Sequence, residues 1–428
     1  MKICVQGLWH LGCVTSAALA SLKHEVIALD YKSHIIKKLN SGLSPIFEPG
    51  LESMMQQCLR SGHLEFTDSP ERALESSEIL WITYDTPVDD NDVADTGYVI
   101  EQVKRSLPFL PAGAIVLVSS QLPVGSVRCL EKIARDKNLD LHFAYSPENL
   151  RLGQALEVFL NPDRIVVGCR KNDRVKDILE SLLSSITANL EWVSIESAEM
   201  TKHAINTFLA LSVTFANEIA SICESVGADA SEVARGMKTE QRIGQKAYLL
   251  PGGAFSGGTL ARDVNFLSEV AKKNTISSQL INAINSSNNN HKKWIWRKIN
   301  SMYDDLEGKC IAIWGLTYKA NTNTLRRSTT VDLVSYLLER KACVNVYDPL
   351  VETLPSCFGT KEVVKLKDPI ESIRGADVLI VSTSYNECKQ IDPEKLKKSN
   401  PNLKIIDINR LLIDWNTAGF EYHTIGKP

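Results

Sequence analysis

The sequence has no excess of charge of one sign and no long apolar segment, and each absence argues against a class of protein. Its 48 basic and 51 acidic residues leave a formal net charge of −3, so the composition does not favour a nucleic-acid partner. No run approaches the roughly 20 apolar residues that cross a bilayer. The first residues lack the charged and then apolar segments of a signal peptide. We therefore expect a cytoplasmic chain that binds neither nucleic acid nor membrane.

The cysteines also lack any pairing pattern. Ten are scattered between Cys4 and Cys388, and no two form a C-x-x-C pair, so their spacing does not support a zinc ribbon or a thioredoxin-like site. Cysteines dispersed in this way are typical of reduced, mostly buried thiols. We predict no bound metal. A chain of 428 residues is too long for one hydrophobic core and is expected to form two or three domains.

Short apolar segments alternate with helical ones in both halves of the chain. Residues 2–6, 11–21 and 24–30 are predicted to form strand, helix and strand, which is one βαβ unit of a parallel sheet. Further strands are predicted in each half of the chain, at 78–84, 114–120, 141–146 and 164–169 and then at 310–316, 343–349, 377–383 and 403–409.

Between these two halves the pattern becomes helical. Residues 197–226 contain neither glycine nor proline, and their apolar residues recur every three or four positions, so they are predicted to form one long helix. More helix is predicted over about 262–304, interrupted by the polar residues 285–290. The predicted fold class is therefore α/β, with two Rossmann-like, doubly wound domains joined by a long central helix.

The segment "GLWHLG" at residues 7–12 follows the first predicted strand, as a dinucleotide-binding turn does. Gly7 permits the tight turn, and Gly12 lets helix and strand pack closely. Asp30 ends the second strand, where an acid binds the ribose hydroxyls and favours NAD over NADP. Trp9 replaces the middle glycine, and we predict that its ring turns away while its backbone N–H contacts the pyrophosphate. This stretch alone leaves open a Rossmann-like fold without a cofactor.

Taken together, nine segments resemble the UDP-glucose/GDP-mannose dehydrogenase family in order and spacing over nearly the whole chain. They are "PIFEPGL" (45–51), "DTPVDDNDVADTGYV" (85–99), "SSQLPVGS" (119–126), "SPENLRLG" (146–153), "NPDRIVVG" (161–168), "AEMTKHAINTF" (198–208), "RIGQK" (242–246), "PGGAFSGGTLARD" (251–263) and "GLTYKANTNTLRRS" (315–328).

The resemblance implies an enzyme that oxidises C6 of a nucleotide sugar, with a UDP-sugar favoured, and passes two hydrides to two NAD molecules. It implies an NAD-binding domain over 1–194, a central helical domain for dimerisation and catalysis over 195–304, and a nucleotide-sugar (UDP) binding domain over 305–428. It also implies a homodimer.

The resemblance further implies roles for individual residues. Lys202 and Asn206, four apart on one helical face, are expected to hold the reacting oxygen. Glu148 and Asp263 are expected to move protons or activate water, and Thr259 stands where the family has its catalytic cysteine. The other expected NAD contacts, beyond those in the turn already named, are His10, Leu11, Thr86, Pro87, Ser120 and Arg326. The expected substrate contacts are Glu148, Leu150, Lys202, Asn206, Arg242, Phe255, Gly257 and Lys319, of which Arg242 reaches across the dimer.

The main departure from the family is the missing thiol. No cysteine lies between Cys223 and Cys310, and a shifted alignment places Leu260 rather than Thr259 at the cysteine position. A threonine hydroxyl is a poor nucleophile without a strong adjacent base, so a thioester route is excluded. Other departures fall in the same blocks, at Gln121, Asn149, Leu152, 383–388 and 407–410.

We interpret these changes as altered rather than lost chemistry, because Lys202, Asn206 and Asp263 are all retained. Oxidation could stop at the aldehyde, proceed through the aldehyde hydrate, or act at another carbon. A binding or regulatory homologue without turnover is a second hypothesis. A generic hydroxyacid dehydrogenase is a weaker third, since it does not account for the "RIG" and "GLTYK" segments.

Overall fold

A computed structural model describes residues 1–87, 89, 94–148, 150–256, 259–320, 322–325, 327–356, 358 and 363–428. The chain divides into two compact units, Met1–Ile205 and Asn206–Pro428. Their boundary falls inside one helix, Ile195–Val226. That helix is long and apolar enough to cross a membrane, but a core helix passes the same criteria, and 44% of its most apolar stretch is buried.

The first unit is built on one eight-stranded sheet. Its strands are β1 (Lys2–Gln6), β2 (Glu25–Leu29), β3 (Leu64–Thr67), β4 (Ile79–Ile82), β5 (Ala114–Val118), β6 (Leu141–Tyr145), β7 (Ile165–Cys169) and β8 (Leu190–Val193).

The strand order in this sheet is β3-β2-β1-β4-β5-β6-β7-β8, and every pair is parallel except β6 with β7. The chain order reverses at β1, whose neighbours are β2 and β4. Ligands of open α/β sheets bind outside the carboxyl ends of the strands at such a reversal. The residues that follow β1, β2, β4 and β5 are therefore the ones placed to bind a dinucleotide.

Helices cover both faces of this sheet. They are α1 (His10–Ser21), α2 (Ser33–Asn40), α3 (Leu51–Ser61), α4 (Pro70–Leu74), α5 (Thr96–Ser106), α6 (Ser126–Asp136), α7 (Ala155–Leu160) and α8 (Asp173–Leu183), with a 3₁₀ turn at Leu107–Phe109. Helix α1 is buried over nearly its whole length, which accounts for its small residues such as Ala17 and Ala18.

Helix α9 (Ile195–Val226) leads into the second unit. The helices there are α10 (Ala230–Thr239), α11 (Thr259–Lys273), α12 (Gln279–Lys292), α13 (Trp294–Met302), α14 (Thr329–Leu338), α15 (Pro369–Ser372), α16 (Asn386–Lys389) and α17 (Pro393–Ser399), with a 3₁₀ turn at Ile413–Ala418. The strands are β9 (Cys310–Trp314), β10 (Cys343–Tyr347), β11 (Val363–Leu366), β12 (Val378–Val381), β13 (Lys404–Asp407) and β14 (Glu421–Thr424).

The second sheet is wholly parallel, in the order β11-β10-β9-β12-β13-β14. Counted within the unit this is 3-2-1-4-5-6, the order of a dinucleotide-binding fold. The predicted fold class, with two Rossmann-like sheets joined by a long helix, is confirmed. The predicted helix of residues 197–226 is two residues longer at its start.

One local prediction was wrong. Residues 285–290 do not interrupt the helical region but lie inside α12. Their weak helix propensity is overridden by tertiary contacts, because the Asn288 side chain is buried and hydrogen-bonded on both its oxygen and its nitrogen.

Candidate functional site

The turn after β1 depends on two glycines. Gly7 has φ of +100° and donates its N–H to the carbonyl of Leu29 at 3.0 Å. A Cβ at Gly7 would lie 2.8 Å from the backbone nitrogen of Tyr84, and a Cβ at Gly12 would lie 2.0 Å from the Gly7 oxygen. Both positions therefore require glycine, which confirms the physical basis on which they were selected.

Trp9 lies immediately before α1, and its carbonyl accepts the N–H of Cys13 at 3.0 Å. Its side chain is on the surface, with 46% of the residue exposed. Among the described residues no side chain caps α1, so the N–H groups of its first turn, including those of His10 and Leu11, are available to bind an anion. The contact between Trp9 and a pyrophosphate stays a prediction.

Asp30 follows β2 and is 6% exposed. Its Oδ2 accepts the N–H of Leu8 and its Oδ1 accepts the N–H of Lys32, each at 3.0 Å. A carboxylate has about four acceptor positions, so these two bonds orient the group and leave lone pairs for ribose hydroxyls. Asp30 thus both shapes the turn and is able to bind the cofactor.

Thr86 and Ser120 follow β4 and β5 along the same edge of the sheet. The Thr86 hydroxyl donates to the carbonyl of Gln121 at 2.5 Å, which ties the two segments together. Ser120 is fully buried, and its Oγ has no hydrogen-bond partner within the described residues. Pro87 is exposed. An orphaned hydroxyl, two obligatory glycines and an uncapped helix together fit a bound dinucleotide.

The corresponding turn of the second unit has an acid that accepts more hydrogen bonds than Asp30 does. Gly315 repeats Gly7, with φ of +94°. Asp348 repeats Asp30, but its carboxylate accepts five hydrogen bonds, from the N–H groups of Leu316, Thr317, Leu350 and Val351 and from the hydroxyl of Tyr385. Burial raises the pKa of Tyr385. The lone pairs of Asp348 are therefore occupied by groups of its own domain, whereas Asp30 keeps lone pairs that can bind a ribose.

Lys202, on α9, is buried, and its ammonium group lies 3.8 Å from Oε1 of Glu148. It also donates to the Glu148 carbonyl. The other carboxylate oxygen of Glu148 accepts the N–H of Leu150 at 2.6 Å. A buried ammonium needs such a partner. The structure therefore brings together three of the predicted site residues. Lys202 of α9 meets Glu148, which is hydrogen-bonded to Leu150, and the latter two lie on the segment after β6.

Two further residues of α9 hold neighbouring loops and were missed in the sequence analysis. Glu199 is fully buried and accepts the N–H groups of Gly125 and Val127 at 2.7 and 3.0 Å, at the start of α6. Burial raises the pKa of Glu199, and the two backbone hydrogen bonds oppose that rise. His203 pairs with the carbonyl of Leu122 at 3.0 Å. Glu199 and His203 are four residues apart on one face of α9, and this spacing was the available signal.

In the second unit, Asn206 and Asp263 are in direct contact. The Asn206 amide donates to Oδ2 of Asp263 at 2.5 Å, and both residues are buried. Asp263 lies one turn after Thr259, the exposed first residue of α11. This pair accords with the expected roles of both buried residues.

The loop that carries Phe255 is held by polar side chains that the sequence analysis did not select. Asn288 accepts the Phe255 N–H and donates to its carbonyl, both at 2.9 Å. Asn217 accepts the N–H of Gly252 at 3.0 Å, and His291 pairs with the Gly252 carbonyl at 2.9 Å. Burial lowers the pKa of His291. The polar run at 285–290 was the signal for Asn288.

The remaining predicted substrate contacts lie on the surface or half-buried. The Arg242 side chain is 88% exposed and pairs with Glu240 at 2.9 Å, which lowers the pKa of that glutamate. Lys319 is half-buried, with its ammonium 5.7 Å from the ring centre of Tyr318. Asn149, Gly257 and Arg326 lie outside the described residues.

Three family domains match the chain in succession. Residues 1–187 match the NAD binding domain of the UDP-glucose/GDP-mannose dehydrogenase family, residues 196–290 match its central domain, and residues 312–414 match its UDP binding domain.

Individual proteins are similar over the whole chain. UDP-glucose 6-dehydrogenases of Rickettsia bellii and Rhizobium meliloti are 32% and 33% identical, and each alignment covers 100% of both chains. The solved structure of a UDP-glucose dehydrogenase from Pyrobaculum islandicum has a TM-score of 0.87 at 26% identity, covering 99% of this chain and 96% of that one.

Proposed function

The chain belongs to the UDP-glucose/GDP-mannose dehydrogenase family and uses NAD as its cofactor, and we propose that it oxidises the 6-hydroxyl of a UDP-sugar. The observation that carries this proposal is a set of paired catalytic groups, of which Lys202, Asn206 and Asp263 are buried and Glu148 is partly exposed. Lys202 is paired with Glu148, and Asn206 is paired with Asp263. Buried ionisable groups are expensive to keep unless they serve a function. Their retention favours catalysis over binding alone.

In the first oxidation, Lys202 and Asn206 hold the reacting oxygen by donating hydrogen bonds to it as its proton leaves. NAD, when bound at the turn after β1, would supply the acceptor for the hydride that leaves the carbon. Glu148 has a carboxylate oxygen 3.8 Å from the Lys202 ammonium and takes part in moving the proton. Lys319 and Arg242 bind the anionic diphosphate and the sugar, as guanidinium and ammonium groups do.

In the second oxidation, we propose that water replaces the thiol. No cysteine lies between Cys223 and Cys310. The aldehyde therefore adds water to form its hydrate, Asp263 or Glu148 accepts a proton from it, and a second hydride leaves to a second NAD. Thr259 contributes a polar contact rather than a nucleophile, because its hydroxyl is not acidic enough near neutral pH.

Counting NADH tests this proposal. We expect purified protein with excess NAD to form two equivalents of NADH per UDP-glucose consumed. One equivalent would show that only one hydride is transferred, so that oxidation stops at the aldehyde or forms a ketone at another carbon. The panel includes other UDP- and GDP-sugars, since the substitutions in the substrate segments affect the choice of sugar. Absence of NADH with every sugar would contradict the proposed activity.

Thr259→Ala separates water from threonine as the nucleophile. We expect this variant to keep both equivalents of NADH with kcat reduced by less than about tenfold. Loss of the second equivalent alone would identify Thr259 as the group that adds to the aldehyde. Lys202→Ala serves as the positive control, because it removes an interaction with the reacting oxygen.

We further propose that the active form is a homodimer in the cytoplasm. Three large apolar residues on α9 recur every seven positions and are exposed, namely Phe208 at 66%, Phe215 at 42% and Ile222 at 56%. Such a stripe is typical of a helix that packs on a partner. The nine described cysteines are all free thiols, as in reducing compartments.

A further inference from the structure

Glu48 is a buried carboxylate in the loop between α2 and α3, and its residue is 4% exposed. It lies 2.8 Å from each of three nitrogens. These are Nε2 of His10 and the backbone N–H groups of Gly153 and Ala155. The two backbone donors occupy both carboxylate oxygens, so an ionised Glu48 accepts all three bonds, with His10 donating from Nε2.

The three donors belong to two separate binding segments. His10 is the first residue of α1, in the turn assigned to the NAD pyrophosphate. Gly153 ends the segment 146–153, which carries Glu148, and Ala155 begins α7. One carboxylate therefore joins the cofactor turn to the segment that faces Lys202. The two segments are more than 140 residues apart in sequence, and in the described part of the chain Glu48 bonds to both.

The surrounding core prevents Glu48 from moving with one binding segment while the other stays in place. Leu51 at the start of α3, Val14 of α1 and Leu156 of α7 are buried in the same apolar cluster. Helices α1, α3 and α7 are thus packed together, and Glu48 bonds to the first residues of α1 and α7. Close-packed cores do not deform continuously. A shift of His10 or of Gly153 must therefore either carry Glu48 along or break a buried hydrogen bond.

We propose that Glu48 is a positioning residue that couples the NAD site to the nucleotide-sugar site, so that each ligand tightens the binding of the other. This inference rests on the proposed function only in assigning the nucleotide sugar to the segment of Glu148. When the cofactor binds and orders the turn, the hydrogen bonds of Glu48 also order the segment that carries Glu148. Linkage then requires the same factor in the reverse direction.

The coupling factor is measured by titrating the full-length protein with NADH, with and without saturating UDP-glucose. NADH fluorescence reports binding, and no turnover occurs because the cofactor is already reduced. For the wild type we expect UDP-glucose to lower the Kd of NADH by about fivefold or more, within the usual range for coupled sites. The reverse titration should give the same factor.

Two variants disrupt different hydrogen bonds of Glu48. His10→Phe removes the bond to the turn and keeps both backbone bonds of Glu48. Glu48→Gln replaces an acceptor oxygen with a donor that faces other donors. In both variants we expect the coupling factor to fall to within about twofold of one. Because the factor is a ratio, a weaker Kd for NADH alone does not reproduce this result.

Glu52→Gln is the matched control. Glu52 lies four residues away and holds the same loop, accepting the N–H of Ser44 at 3.0 Å, but within the described residues it bonds to neither binding segment. We expect it to keep the wild-type coupling factor. A wild-type factor of one, or unchanged factors in both His10→Phe and Glu48→Gln, would overturn the proposal. A wild-type chain that binds neither ligand would instead contradict the proposed function.

Discussion

The side-chain amide of Asn206 donates a hydrogen bond to Oδ2 of Asp263 at 2.5 Å, and both residues are buried. The two are 57 positions apart in the sequence, on helices α9 and α11. An amide that donates to a carboxylate in this way fixes the orientation of the acid. The pair therefore supplies an oriented base to the chemistry that we propose.

Replacing this base tests its role. We expect Asp263→Asn to lower kcat by about 10²–10⁴-fold, the usual contribution of general acid–base catalysis. Steady-state NADH formation measures the effect, and a thermal melt checks that the fold is kept. Asn265→Ala is the control, because Asn265 lies on the same helix and accepts a hydrogen bond from the Asn285 amide at 2.8 Å, away from Asp263's partner Asn206. A loss of activity no larger than that of the control would exclude Asp263 as the base.

The cofactor turn should tolerate a change at Trp9 but not at Gly12. Trp9→Ala removes an exposed ring, so we expect the Kd of NADH to change by less than about tenfold. Gly12→Ala places a Cβ 2.0 Å from the Gly7 oxygen, so we expect NADH binding to be lost. Fluorescence titration measures both. NADH binding that appears only after Trp9→Gly would show that the indole occupies the phosphate site.

Acid stability should depend on Glu196, in the first turn of α9. Arg170 donates to it at 2.9 Å and lowers its pKa to about 2, from 4.5. Because the folded-state pKa is the lower one, the stabilisation is present above pH 4.5 and is lost as the pH falls toward about 2.

We therefore expect Glu196→Gln to lower Tm by about 1–3 °C at neutral pH. The difference from wild type should shrink as the pH falls through that window, as followed by thermal denaturation. Glu101→Gln is the control, since Glu101 pairs with Lys104 on the surface and is 61% exposed. A Tm difference for Glu196→Gln that does not change with pH would argue against an ionic origin.

The apolar stripe of α9 should determine the oligomeric state. We expect the double variant Phe208→Glu and Phe215→Glu to convert a dimer into monomers, because two buried charges per chain would face an apolar partner. Light scattering after size-exclusion chromatography measures the mass. Leu280→Glu on α12 is the control, as Leu280 is 62% exposed outside the stripe. A monomeric wild type would contradict the dimer directly.

The strands that sequence analysis missed share one position in the fold. They are β3, β8, β11 and β14, and each is the outermost strand of its sheet. Each has only four residues. An edge strand has one neighbour and is partly exposed, so its apolar pattern is short and weak. The central strands are buried on both faces and were predicted from their continuous apolar runs.

The sequence by itself determined what depends on near neighbours. The turn of residues 7–12, Asp30 and the long helix were predictable, because a strand, a turn and a helix each act over a few positions. The resemblance to known dehydrogenases also predicted Lys202, Asn206 and Asp263 as site residues, because it too depends on short segments of sequence.

Only the tertiary structure decided which polar groups meet. Glu48 joins His10 to Gly153, which is 105 residues beyond Glu48 in the chain, and Asn288 closes the loop at Phe255. The periodicity of apolar residues in the sequence does not predict such long-range pairs. Buried donors and acceptors must find partners wherever the packing of sheets and helices brings them, and that packing depends on strand order rather than on local sequence.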